Sequence, residues 1–263
     1  MAKPLVTEES WDAIEPLLPE HGPRPKGGRP RVPDRACLAG IVFVLKTGIP
    51  WEALPAEMGC GSGMTCWRRL AEWRAAGVWP RLHAALLARL HAADEIDRSR
   101  AAVDSSRVEA PGGGPKTGPN PTDRAKCGSK HTLVTDGNGI PLSATLTGAN
   151  RHDVTELLPA LDAVPPVRGK PGRPRRRPKR LYADRAYDSG GHREELRRRH
   201  VRPVIARRGA DHGSGLGKVR WVVERTISWF HQFRRLGTRY DRDHRRHEAF
   251  MALGLALICF KFC

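Results

Sequence analysis

Through the first third of the chain, apolar residues recur at three- and four-residue steps, the pattern of helices that bury one face. Thr7 is placed to cap a short helix carrying Trp11, Ile14, Leu17 and Leu18, with Glu8 and Glu9 in its first turn where negative charge is favoured. Pro33-Asp34 opens a second helix with Leu38, Ile41, Val42 and Leu45 inward, and Gly48 stops it. A short element around Trp51 to Leu54 and a glycine-rich turn over 59–63 lead to a third helix. Its Trp67, Leu70 and Trp73 share one side, with Arg68, Arg69 and Arg74 on the other. From Val78 a fourth helix buries Trp79, Leu82, Leu86 and Leu90. Short helices joined by tight turns, one with an arginine-rich outer face, point to a helix-turn-helix-like module; a plain helical bundle with solvated arginines is the alternative.

Near residue 100 the pattern changes to short apolar runs. Ala101 to Val103 reads as a buried strand ending in Asp104, and 110–129, rich in Gly, Pro and Lys, as a loop. Lys130–Thr135 and Pro141–Thr147 read as strands joined by the hairpin signal Asp136-Gly137-Asn138-Gly139. Asp153 opens a helix with Leu157, Leu158 and Leu161. Arg180–Ala183 is a strand ending in Asp184, a charged helix follows over 192–200, then a strand from Val201 to Ala206 and a long helix from near Lys218. This order fits an α/β fold, a ribonuclease-H-like mixed sheet flanked by helices. The expected organisation is a helical DNA-binding domain over 1–97 and a catalytic domain over 98–263 that carries a basic loop at 168–180.

Of the 263 residues 39% are hydrophobic, enough for a buried core. Charge narrows the partners. Lys plus Arg number 46 against 28 for Asp plus Glu, a formal net charge of +18, and so basic a chain calls for nucleic acid or an anionic membrane. The longest apolar run, Ala249 to Phe260, is about half of what a spanning helix needs, and the first residues show no basic leader followed by an apolar stretch. Nucleic acid is therefore the expected partner, and the cytoplasm, in association with the nucleoid, the expected location. The six cysteines (37, 60, 66, 127, 259 and 263) lack zinc spacing and are expected as free thiols.

Three acids stand where such a fold would bring them together. Asp104 and Asp184 each follow a short apolar strand, and ligands of open α/β sheets gather near strand ends. Glu224 lies in the helix expected over Val219 to Phe233, where Arg220, Glu224 and His231 are spaced to share one face at about 100° per residue. Taken singly, each acid reads equally as a cap or a surface carboxylate, and the stripe as a salt-bridged helix surface. Together they suit phosphodiester chemistry, which needs an activated oxygen, a stabilised phosphorus centre and a neutralised leaving group. Two divalent cations about 4 Å apart meet those needs. Mg²⁺ prefers hard oxygen ligands and keeps several waters, so a few carboxylates suffice without a His or Cys cage. On that logic Asp104 bridges two cations, and Asp184 and Glu224 each complete one. Mg²⁺ is expected, with Mn²⁺ able to substitute, and no organic cofactor.

The segments Val103-Asp104-Ser105-Ser106, Gly148 to Asp153, Tyr182 to Ser189, and Arg220-x3-Glu224 followed by Phe233-Arg234-Arg235-Leu236 together resemble the DDE transposases of the insertion-sequence four/five superfamily, in its insertion-sequence five branch. The N-terminal stretch is similar to that branch's small helical domain through Leu45-Lys46-Thr47-Gly48 and Pro50-Trp51-x-x-Leu54-Pro55, so the resemblance covers nearly the whole chain. Two positions depart from the family pattern: Gly217 stands where a Tyr is usual, and His231 where a Lys is usual; His231 can still contact a phosphate, most strongly when protonated. The resemblance implies that Asp104, Asp184 and Glu224 are catalytic. It also implies a cut-and-join reaction: water frees a 3′-hydroxyl at the element's terminal inverted repeat, and that hydroxyl then attacks target DNA. No Ser or Tyr nucleophile is required.

The segment Arg168 to Arg180 holds eight basic residues in thirteen and no acid, so it should stay extended and lie along a DNA backbone. Its Arg173, Arg175, Arg176, Arg177 and Lys179 are candidate DNA contacts. So are Arg29, Arg31, Arg68, Arg69, Arg220, His231, Arg234 and Arg235. Gly-Arg-Pro cores at 28–30 and 172–174 resemble minor-groove hooks, and Arg239, Arg242, Arg245 and Arg246 extend a second basic zone. Coordinated cutting of two ends predicts at least a homodimer on double-stranded DNA, with the final apolar helix either in the core or at its interface. Two other readings compete: a catalytically inactive transposase-derived DNA-binding protein, and a cellular ribonuclease-H-like nuclease.

Overall fold

A computed structural model describes residues 4–22, 30–209 and 215–263. The first third is helical, and the starts and stops follow local chemistry. Thr7 Oγ1 accepts the Ser10 N–H at the head of α1 (Glu8–Ile14). α2 (Asp34–Thr47) ends at Gly48, whose φ of 76° glycine adopts without a Cβ penalty. Two 3-10 turns, Trp51–Ala53 and Ala56–Met58, then lead to α3 (Gly63–Ala75), capped by Ser62. Only glycine fits at 63, since a Cβ there would lie 1.7 Å from the Trp51 carbonyl oxygen. Ala76 and Gly77 turn the chain into α4 (Val78–Ala92).

The tight joint of a helix-turn-helix is not found between α2 and α3, whose connection runs from Gly48 to Ser62. Of the three arginines expected on the outer face of α3, Arg68 is exposed and Arg74 half-buried, but Arg69 turns inward. Cys66, Arg69, Leu70 and Trp73 are all buried, and Trp67 lies under the Arg246 guanidinium, 3.7 Å from its ring centre.

The remainder forms one mixed six-stranded sheet with helices against it. β1 (Ala101–Glu109), β3 (Cys127–Asp136) and β4 (Pro141–Gly148) are antiparallel neighbours, with the two-residue β2 (Gly118–Pro119) beside the start of β3. After α5 (Asp153–Asp162), β5 (Arg180–Ala183) adds parallel to β1; after α6 (Gly190–Arg198), β6 (Arg202–Ile205) adds parallel to β5. The order β4-β3-β1-β5-β6 is the ribonuclease-H-like arrangement expected. Two boundaries differ from expectation. β1 continues five residues past Asp104 because its polar half, Ser105 to Glu109, pairs with Gly128 to Thr132 of β3. The loop expected over 110–129 is accordingly shorter, giving up 118–119 and 127–129 to strands.

α7 (Gly217–Gln232), the single turn α8 (Arg234–Gly237) and α9 (His244–Cys259) complete the chain. α9 is buried on nearly every side, against α3 and α4 on one flank and β4 on the other. Phe250 from α9 stacks on Trp51 at 5.7 Å. One hydrophobic core therefore runs through the helical third and the sheet alike, across the 97/98 position between α4 and β1.

Gly63→Ala forces a methyl group against a backbone carbonyl, and is expected to lower unfolding free energy by at least about 1–3 kcal/mol. Gly190→Ala, with nothing within 4 Å of the added carbon, should leave the urea midpoint unchanged. The paired urea titrations check the contrast.

Candidate active site

β5 pairs with β1 at Ala101 and Ala102, opposite Leu181 and Tyr182. Two residues further along, Asp104 and Asp184 stand in corresponding positions where that pairing has ended. Asp184 closes β5 by accepting the Ala186 N–H at 2.9 Å, capping the 3-10 turn Arg185–Tyr187. Asp104 accepts the Ser105 N–H at 2.8 Å and lies 3.2 Å from the Arg220 guanidinium. Its place inside a long strand still leaves its β5 side open. α7 crosses this region with the expected stripe facing β1: Arg220 reaches Asp104, and His231 Nε2 meets Ser106 Oγ at 3.0 Å. Glu224 sits between them on the helix, exposed.

Burial pushes the Asp104 carboxyl up to about 6, and the charges of Asp184 and Glu224 push in the same direction, while Arg220 and the Ser105 N–H partly offset them. That each remote acid is felt at Asp104 puts all three in one electrostatic neighbourhood. No set of three or more His, Cys, Asp or Glu side chains among the described residues is arranged to hold a metal ion. Mg²⁺ does not need one: it binds through one or two carboxylates, substrate phosphates and retained waters. The carboxylate oxygens of Asp104, Asp184 and Glu224 are the hard donors such an ion takes, and Asp104 is desolvated with the Arg220 guanidinium 3.2 Å away.

Beneath the acids lies a polar layer that sequence reasoning missed. Tyr187 Oη meets Ser105 Oγ at 2.5 Å, and Ser105 Oγ meets Thr132 Oγ1 at 2.9 Å. Burial, and the nearby carboxylates after it, push the Tyr187 phenol above its ordinary range. Next to Ser106 in register, His131 is buried, 2.8 Å from His247 Nε2 and edge-on to His231. Burial holds His131, His231 and His247 below the ordinary histidine range, His247 at about 3. His231 is thus neutral at pH 7, which removes the charge that would strengthen a phosphate contact. Tyr187 lay within a motif already singled out; His131 could be found only through strand register.

The expected DNA contacts divide. Arg68, Arg173, Arg175, Arg176, Arg177, Lys179 and Arg234 are exposed. Arg29 lies outside the described residues. Three expected contacts are corrected. Arg69 is buried, paired with Asp34 and Glu72 and packed over Trp73. Arg31 is half-buried and holds both Glu72 oxygens at 2.9 and 3.0 Å. Arg235 is buried, donating to the Ile49 carbonyl beside Trp51 and Tyr240. Arg239, from the second basic zone, is also internal and donates to Ser129 Oγ at 2.9 Å. Each holds elements together, because carboxylates or carbonyls from distant segments reach it. The basic loop is not extended either: Val167 bridges Arg175, the Arg98 guanidinium grips the Arg175 carbonyl, and Lys170 pairs with Asp94.

Residues 6–83 match the family described as "Putative transposase of IS4/5 family", and residues 95–259 match "Transposase DDE domain". A "Putative transposase for insertion sequence element IS402" of Burkholderia cepacia is 55% identical over 194 residues, covering 73% of this chain and 90% of that protein. An "Insertion element IS402 uncharacterized 16.2 kDa protein" of the same organism is 62% identical over 123 residues, 46% of this chain and 84% of its own length. Among solved structures, the Mos1 strand transfer complex overlaps at a TM-score of 0.34 with 12% identity, over 93% of this chain and 79% of that one, too loosely to bear on function.

With its pKa raised from 3.8 to about 6, Asp104 holds a proton in the folded state that the unfolded chain has released. The stability it contributes is full below the lower value and lost as pH rises through about 6. Asp104→Asn is therefore expected to melt about 2–4 °C above the parent at pH 7 and level with it near pH 4. Circular dichroism melts at the two pH values check this; an equal gain at both would assign it to packing rather than charge.

Proposed function

The chain belongs to the IS4/5 family of DDE transposases, and on that premise we propose that Asp104, Asp184 and Glu224 form its acidic triad for cleaving and joining the ends of an insertion sequence. What supports the assignment is the shared neighbourhood of three carboxylates remote in sequence, with the Arg220–His231 face of α7 turned onto the strand that carries Asp104. Bound divalent cations, Mg²⁺ or Mn²⁺, would supply the Lewis acidity that activates the attacking oxygen and neutralises the leaving one.

The chain's own groups do the rest. Arg220, now on Asp104, would turn to a non-bridging phosphate oxygen as DNA enters, a charge-assisted contact suited to its planar fork. His231, neutral and already bonded to Ser106, would offer a hydrogen bond rather than a charge. Tyr187 keeps its proton at neutral pH and, with Ser105, fixes the strand beside Asp104; neither is a nucleophile, so no covalent protein–DNA intermediate forms. Exposed Arg68, Arg173, Arg175, Arg176, Arg177, Lys179 and Arg234 would bind the phosphate backbone of duplex DNA, with affinity falling as salt rises. Coordinated cutting of two ends requires two such centres, hence at least a dimer on DNA.

A labelled duplex carrying the element's terminal inverted repeat, incubated with the protein and Mg²⁺, should be cut at the 3′ end of the repeat. Asp104→Ala, Asp184→Ala and Glu224→Ala should each slow cleavage by on the order of 10²–10³ or more, while repeat binding in a gel shift stays within about twofold. Chelation should stop the reaction and Mn²⁺ restore it. Binding without cleavage by the parent protein would mean a catalytically inactive derivative, and cutting without regard to the repeat a general nuclease.

A further inference from the structure

The far edge of the sheet takes no part in the chemistry above. There β6 is the last strand, paired only with β5 among the described residues, and a groove of about 660 Å³ lies between it and the end of α6. Lys179, Arg197, His200, Arg202 and Arg207 line it, and all five are exposed. No ion pair joins any of them to a carboxylate among the described residues, whereas the neighbouring arginines are engaged. Arg193 is held by Asp188 at 2.7 Å, Arg199 by Asp162 and Glu195 at 2.6 Å each, and Arg198 by Glu195. Arg193 also lines the groove, so its charge there is compensated, while that of the five exposed residues is not.

We infer that this groove seats the phosphate backbone of a second duplex, the target DNA into which the freed end is joined, an assignment that rests on the transposase reading above. Charge complementarity names a polyanion. Apart from His200 the lining has no aromatic side chain, so it lacks the stacking platforms on which single strands are held, and a duplex presenting only its phosphates is the better match. Among the lining residues there is no Asn, Gln, Ser or Thr. Long Lys and Arg side chains on phosphates fix position without reading bases. Terminal repeats must be read by sequence to be cut at the right place; a target need not be.

Placement agrees. Arg202 lies level with Arg180 at the start of β5, and Arg207 lies beyond the end of β6. Its neighbour Arg208 donates to the carbonyls of Arg185 and Ala186, which directly follow Asp184. A duplex along the groove would therefore be carried toward the acids. The basic loop joins the same surface, since the Arg177 guanidinium donates to the Arg199 carbonyl at 3.3 Å. Pro203, which has no N–H, keeps the open edge of β6 from pairing with a further strand.

The test is the double variant Arg197→Glu/Arg202→Glu, with Arg197→Gln/Arg202→Gln as the milder pair should charge reversal disturb folding. Fluorescence anisotropy without metal, on a duplex lacking the terminal repeats, should show affinity reduced about tenfold or more near 0.1 M salt and a shallower salt dependence. With Mg²⁺, joining of a pre-cut end to plasmid should fall about tenfold, while cleavage of a repeat-bearing end stays within twofold. Unchanged binding to the repeat-free duplex would overturn the assignment. So would equal loss of cleavage and joining, which would give the groove to the transposon end, or competition by single strands as strong as by duplex. Should the parent protein neither cut nor join, the catalytic reading fails, and the metal-free binding comparison still decides the groove.

Discussion

The contact between Arg220 and Asp104 ties α7 to the central strand, and with it the position of Glu224 relative to the two aspartates. An α-helix laid on a sheet can slide by a turn, about 5.4 Å, with modest change in apolar burial, and such a slide would carry Glu224 away from Asp104 and Asp184. Polar contacts hold α7 in place. The Thr226 hydroxyl donates to the Gly139 carbonyl at 2.6 Å, Arg225 donates to the Asn138 carbonyl, and His231 meets Ser106. The Asp136–Gly139 turn is itself rigid, because Asp136 accepts the N–H groups of Asn138, Ile140 and Asp97. Helix register is therefore set from the hairpin at the middle of α7 and from β1 near both of its ends.

A net charge of +18 hides two populations of arginine. Arg69, Arg235 and Arg239 are buried and each is met by carboxylates, carbonyls or a hydroxyl, as the cost of burying a charge demands. They join segments far apart in the chain: Arg69 holds α3 to the start of α2, and Arg235 fastens α8 to the turn after α2. The second population, at 173–177 and along the edge of β6, faces outward. Among the described residues these and the exposed Arg68 and Arg234 can meet a polyanion while the buried set cannot, so the charge total overstates the DNA-facing surface.

Much of this was legible in the sequence because it is local. Gly48, Thr7 and the Asp136–Gly139 turn announce their conformations by residue type, and β5 is bounded as its apolar run indicated. The three acids stand out as candidates through motif order, and the stripe through Arg220, Glu224 and His231 follows from helical spacing. What was hidden depends on pairing. The polar half of β1 carries no apolar alternation and becomes a strand only because β3 lies beside it. Arg69 sits between Arg68, which is exposed, and Leu70, which is buried; its inward direction follows from Asp34 waiting across the helix pair. His131 looked like any strand residue until register set it against Ser106 and α9 brought His247 to it.

The burial of α9 between the helical third and the sheet bears on how the protein comes into being. Trp51, Leu82 and Leu146 belong to the same core as Phe250, Leu253 and Ile258, so the earlier segments leave the ribosome with no partner for part of their apolar surface. Neither part can complete this core until the chain through residue 259 has been made, so the last helix closes both at once.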